Sequence, residues 1–74
     1  MIPSKTDPRW KALISNAESI PVTNLATKFM MSRLKLITTF ENSEATKQEA
    51  IKLAYDFFVK NESTVKNDIK LIFG

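Results

Sequence analysis

The chain has no cysteine and no histidine. A disulfide framework is therefore excluded, and so are the usual thiolate and imidazole zinc sites. The Ser-His-Asp and Cys-His arrangements of nucleophilic catalysis go with them. Glycine occurs once, as Gly74 at the last position, so neither a Walker-type phosphate loop nor a dinucleotide fingerprint can be built. Proline occurs at Pro3, Pro8 and Pro21 only, and after Pro21 nothing interrupts helix formation. No run approaches the ~18 consecutive apolar residues of a membrane-spanning helix. The segment from Met1 to Pro8 has no apolar core behind a basic head, so no secretory signal is expected and a cytoplasmic location is the default.

Seventy-four residues make one domain, near the size of roughly 70–80 residues below which a lone core struggles to hold a fold. Hydrophobic residues at 43% and charged residues at 26% are the proportions of a globular chain rather than a disordered one. A chain so small and without staples must rely on helix packing, either alone or completed by a partner, and homodimerisation is one such completion. The net charge of +3 is compatible with an anionic partner but lacks the dense Lys/Arg clustering of a nucleic-acid binder.

Apolar spacing predicts an all-α fold: a small three- to four-helix bundle spanning residues 1–74 as a single domain, with residues 1–6 a flexible N-terminus. Asp7 as N-cap and Pro8 at the first helical position open the first helix. Trp10, Leu13, Ile14 and Ala17 give it one stripe, and Pro21 ends it near Ile20. The second helix starts from Thr23 or Asn24 and runs to Thr39 or Phe40. Its broad apolar face reads Val22, Leu25, Ala26, Phe29, Leu36, Ile37 and Phe40. Asn42 is expected as its left-handed stop. Ser43 caps the third helix, Glu44 occupies its first turn and Asn61 closes it. That helix carries Ala50, Ile51, Leu53, Ala54, Tyr55, Phe57 and Phe58 inward and Glu49, Lys52, Asp56 and Lys60 outward. Ser63 caps a last segment, read as helix because a lone strand has no pairing partner. The expected core is Trp10, Leu13, Leu25, Phe29, Leu36, Phe40, Leu53, Phe57, Phe58 and Ile69.

The second helix is the element from which function is read. No acidic residue occurs from Ile20 through Phe40, and Lys28, Arg33 and Lys35 supply all its side-chain charge. Met31 and Leu34 lie off its main apolar stripe and are expected to be partly exposed. Arg33 falls inside the apolar sector, between Phe29, Leu36 and Ile37. Either its stem covers apolar surface while the guanidinium reaches water, or it pairs with Glu44 or Glu62, or that sector meets another chain. Carboxylates are spread along the chain, and a bundle of this size has little room for a pocket on the order of 300 Å³. The expectation is a non-catalytic protein-interaction module without cofactor, metal or small-molecule substrate. Lys28, Met31, Arg33 and Lys35 are its candidate partner-binding residues. The alternative is a nucleic-acid binder that uses the basic second helix in the manner of a helix-turn-helix. That alternative lacks the usual turn glycine and the Arg, Asn or Gln of a base-reading face.

Overall fold

Side-chain hydrogen bonds to backbone N–H groups mark where the first three α-helices begin. The computed structural model describes residues 2–74 and contains four α-helices, with no strand among the described residues. They are α1 (Arg9–Ser15), α2 (Leu25–Phe40), α3 (Glu44–Lys60) and α4 (Lys66–Phe73). Asp7 Oδ1 accepts from the Arg9 backbone N–H at 2.9 Å, so the carboxylate satisfies an orphan donor at the start of α1. The Asn24 side chain accepts from Ala26 N at 2.9 Å, and the Ser43 hydroxyl from Thr46 N at 3.1 Å. Both residues do what their positions before an apolar-periodic run require.

Several boundaries differ from the sequence reading. α1 stops at Ser15, and the rest of the expected helix is a 3-10 turn over Ala17–Ser19. Ile20 is extended, as its position before Pro21 demands. Asn42 is not a left-handed stop, because no described non-glycine residue has positive φ; α2 ends through an extended Glu41 instead. Asn61 closes α3 differently, through its side-chain amide donating to the Phe57 carbonyl at 2.9 Å. α4 is a helix rather than a strand but starts after Val65, not from a cap at Ser63. Residues 2–6 are held against the domain: Ile2 packs on the core, and the Pro3 carbonyl accepts from Trp10 Nε1 at 3.2 Å. For Met1 the expected flexible terminus lies outside the described residues.

Trp10 is the centre of the core and is fully buried. Its ring lies 4.8 Å from Phe73, 5.8 Å from Tyr55 and 6.0 Å from Phe58, in tilted and edge-on arrangements that suit aromatic quadrupoles. This cluster ties α1, α3 and α4 together. Leu13, Ile14, Ala50, Ile51, Ala54, Val65 and Ile69 complete it. α2 packs across α3 and the 3-10 turn. The Cα radius of gyration is 11.2 Å, close to the ~11 Å expected of a close-packed chain of this length.

The face by which α2 docks is not the one its largest residues mark. Thr27, Met31 and Leu34 are its buried residues, with Met30, Ile37 and Thr38 half-buried beside them. Leu25, Phe29, Leu36 and Phe40, all expected in the core, are instead 64%, 67%, 58% and 84% exposed. Met31, expected to be partly exposed, is only 4% exposed, and Leu34 is fully buried. α2 carries two apolar faces on opposite sides. The neighbouring elements took the leaner one, where the flexible methionines and small threonines fit a close approach.

Candidate functional site: the outer face of α2

α2 spans sixteen residues from a well-formed N-cap, and a second element fixes its start. Asp68, in the first turn of α4, reaches across to that N-terminus. Its Oδ1 accepts from Thr23 N at 2.8 Å and from Thr23 Oγ1 at 3.1 Å, and its Oδ2 accepts from Asn24 N at 2.9 Å. Asp68 is 2% exposed. Burial alone would push its carboxyl up, but the Thr23 and Asn24 amides, with the nearby Thr27 and Thr23 hydroxyls, hold it below the usual carboxylate range. Thr27 Oγ1 adds proximity rather than a well-formed bond and is otherwise buried without a partner. A buried carboxylate at a helix N-terminus also opposes the helix dipole favourably. Asp68 is thus a structural clamp that sets where α2 starts and how it is rotated.

That rotation turns Leu25, Phe29, Leu36 and Phe40 outward in a single column. At 100° per residue they fall within about 60° of one another, and the column runs about 22 Å along the helix. With ~150–250 Å² for an aromatic side chain, the two phenylalanines alone present roughly 230–380 Å² to solvent. The two leucines bring the column up to the largest patches usual on a monomer, about 300–600 Å², which are often functional. Ser32 and Thr39 complete the column and are also exposed.

Of the four sequence-predicted site residues, three border this column. Lys28 and Lys35 line one edge and Arg33 the other, and all three are exposed. Among the described residues the ion pairs are Arg9–Asp7 at 2.9 Å and Lys11–Glu44 at 2.7 Å, so none of these three cations has an acidic partner within salt-bridge distance. Glu44, one suggested partner of Arg33, is taken by Lys11, whose hydrogen bond lowers the Glu44 pKa. The apolar sector around Arg33 is thus open surface rather than core. The fourth residue, Met31, faces the core and only floors a shallow groove of about 470 Å³ between α2 and the 3-10 turn, bordered by Glu18, Ile20, Lys28 and Ser32.

The surface position of Leu25, Phe29, Leu36 and Phe40 does not follow from the apolar pattern, and neither does the role of Asp68. Arg33 was the available signal for the first, since a cation amid large apolar residues marks a face that is not sealed. Among the described residues no three acidic side chains gather in a way that could hold a metal ion. Among the described residues no helix is long and apolar enough to cross a membrane. Comparison with protein-family models, with curated proteins and with solved structures gives no match to this chain.

Proposed function

We propose that this protein is a small non-catalytic interaction module that binds another protein chain through the outer face of α2. The observation that carries the reading is the exposed column Leu25, Phe29, Leu36 and Phe40, on the side of the helix away from the core. Apolar anchors surrounded by cations are the anatomy of a protein interface: the aromatic residues supply desolvated contact area, and the charges steer and orient. The setting proposed is the cytoplasm, where a fold without disulfides is at no disadvantage. Nucleic-acid binding through the same helix fits less well. A groove-entering helix offers hydrogen-bonding side chains to base edges, whereas here leucine and phenylalanine occupy the outermost positions.

The test is site-specific photo-crosslinking in the source cells. The photoreactive residue is placed at exposed Ser32 within the column, or as a control at exposed Glu49 on α3. A discrete protein adduct from position 32 is expected. It should be absent from position 49, resistant to nuclease and lost on Leu36→Glu. Adducts formed equally at both positions, or adducts that nuclease removes, would overturn the reading.

A further inference from the structure

We infer that the partner segment of this face is an acidic amphipathic helix, which lies along α2 and sets carboxylates against Lys28, Lys35 and Arg33. The inference rests on the protein-binding reading above and adds the partner's chemistry. Its first support is the register of the column. Leu25, Phe29, Ser32, Leu36 and Thr39 follow one another at intervals of four, three, four and three, the seam of a helix pair. In that frame Phe29 and Leu36 are a positions and Leu25, Ser32 and Thr39 are d positions. Lys28 and Lys35 both fall at g, and Arg33 falls at e. The buried residues Thr27 and Leu34 fall at f, the position opposite the seam. One helix therefore uses its f side to join its own domain and leaves an a/d seam facing solvent, flanked by Lys28 and Lys35 at g and by Arg33 and Phe40 at e.

The gaps in the seam point to a helix rather than to a lipid surface. Phe29, Ser32, Arg33 and Leu36 stand at i, i+3, i+4 and i+7, the four corners of a hole that receives one side chain from a facing helix. Ser32 is the small corner, so a large apolar knob such as leucine fits between the Phe29 and Leu36 side chains. A bilayer gains little from burying Ser32 and Thr39, and interfacial helices offer a broad apolar face rather than a single column.

The flanking charges choose among partner helices. In a parallel pair, g of one helix meets e of the other five residues on, so a second copy of this chain would set Lys28 against Arg33. In an antiparallel pair g meets g, so Lys28 and Lys35 would meet their own counterparts. Either self-pairing places cation against cation, and α2 has no acid to relieve it. Glutamate or aspartate at the e and g positions of a different helix makes those contacts attractive in both orientations. The three cations have no competing acid within salt-bridge distance among the described residues, so no internal pair must break first.

The experiment uses two synthetic three-heptad peptides with leucine at a and d. One carries glutamate at every e and g position, and the other carries lysine there. Binding to the whole protein is followed by isothermal titration and by peptide helicity, and sedimentation of the protein alone reports self-association. The glutamate peptide is expected to bind and become helical, at least tenfold more tightly than the lysine peptide. Its affinity should fall as salt rises. Leu36→Ala or Phe29→Ala should weaken it about 30-fold or more, the loss expected of a hot spot. Lys28→Glu with Lys35→Glu should reverse the preference between the peptides. Equal binding of both peptides, still abolished by Leu36→Ala, would overturn the acidic partner while leaving α2 a protein-binding face. A tight dimer of the protein alone that blocks both peptides would replace it with self-pairing. Binding of neither peptide, with Phe29-dependent binding to phosphatidylcholine–phosphatidylserine vesicles or salt-sensitive binding to random duplex DNA, would overturn both readings together.

Discussion

Replacing Asp68 by asparagine tests whether α4 clamps α2. The substitution keeps size and shape and changes one acceptor into a donor. Asparagine can still accept from Thr23, but its amide then faces the Asn24 N–H, which the carboxylate now receives at 2.9 Å. A hydrogen bond to a charged group contributes about 1.5–3 kcal/mol, and a buried donor left unpaired costs about 1–3 kcal/mol. These describe largely one event, so the expected loss is about 2–4 kcal/mol. Against the ~4–11 kcal/mol typical for a chain of this length, that is a large share. Urea unfolding followed by the fluorescence of Trp10, the sole tryptophan and fully buried, gives the number directly. Its pH dependence gives a second, independent readout. The Asp68 pKa is lowered on folding, so its contribution is complete above the unfolded value of about 3.9 and is lost as pH falls through the folded value. The difference between wild type and Asp68→Asn should be flat above about pH 5 and shrink below about pH 4. Asp7, held at about 2 by its hydrogen bonds from Arg9, and Glu44, lowered by Lys11, titrate in both proteins and cancel. A loss under about 0.5 kcal/mol at pH 7, or a difference that does not shrink in acid, would refute the clamp.

Other expected outcomes follow from the two faces of α2 and from its neighbours. Leu34→Ala should cost about 2–5 kcal/mol in the same urea assay, while Leu36→Ala, two residues on, should cost less than about 0.5 kcal/mol; similar losses would mean that the outer face is not free. Thr27→Val should be neutral or slightly stabilising, because the buried hydroxyl it removes makes no well-formed bond; a loss above about 1 kcal/mol would show that the hydroxyl supports Asp68 substantially. Ser43→Ala should cost about 1 kcal/mol through the lost bond to Thr46 N, read as a lower midpoint with an unchanged urea slope.

The helices themselves were legible because their determinants are local. Asn24 and Ser43 announce their helices, Pro21 enforces an extended Ile20, and scarce glycine and proline leave long uninterrupted helices. The rotation of α2 was not legible, and the reason is physical. Periodicity counts apolar residues on each side of a helix, and α2 has two such sides. Leucine and phenylalanine outweigh methionine and threonine in any such count, yet a close-packed core selects for shape as well as for size. Trp10, Phe58 and Phe73 already fill the centre of the domain, so α2 needs only Thr27, Met31 and Leu34 to seal it. Asp68 was invisible for another reason. An acid in the first turn of a short helix reads as a charge that complements that helix's own dipole, whereas its hydrogen-bond partners lie 44 and 45 residues earlier.

The clamp and the outer column belong to one design. α2 contributes few large residues to the core, so apolar burial alone constrains its rotation loosely. A shift of two positions along the helix would turn it by about 200° and carry Phe29 into the place of Met31. Burial of the larger side chain favours such a slip. The Asp68 bonds oppose it, because they hold Thr23 and Asn24 at fixed positions and so fix the phase of every later residue in α2. The cations act on the other competing arrangement, in which two exposed columns pair with each other. On the proposed function, Lys28, Lys35 and Arg33 would leave the column attractive to an acidic helix and unattractive to its own copy. The polar residues therefore account for what the apolar pattern alone does not: which side of α2 is buried, and what the other side remains free to meet.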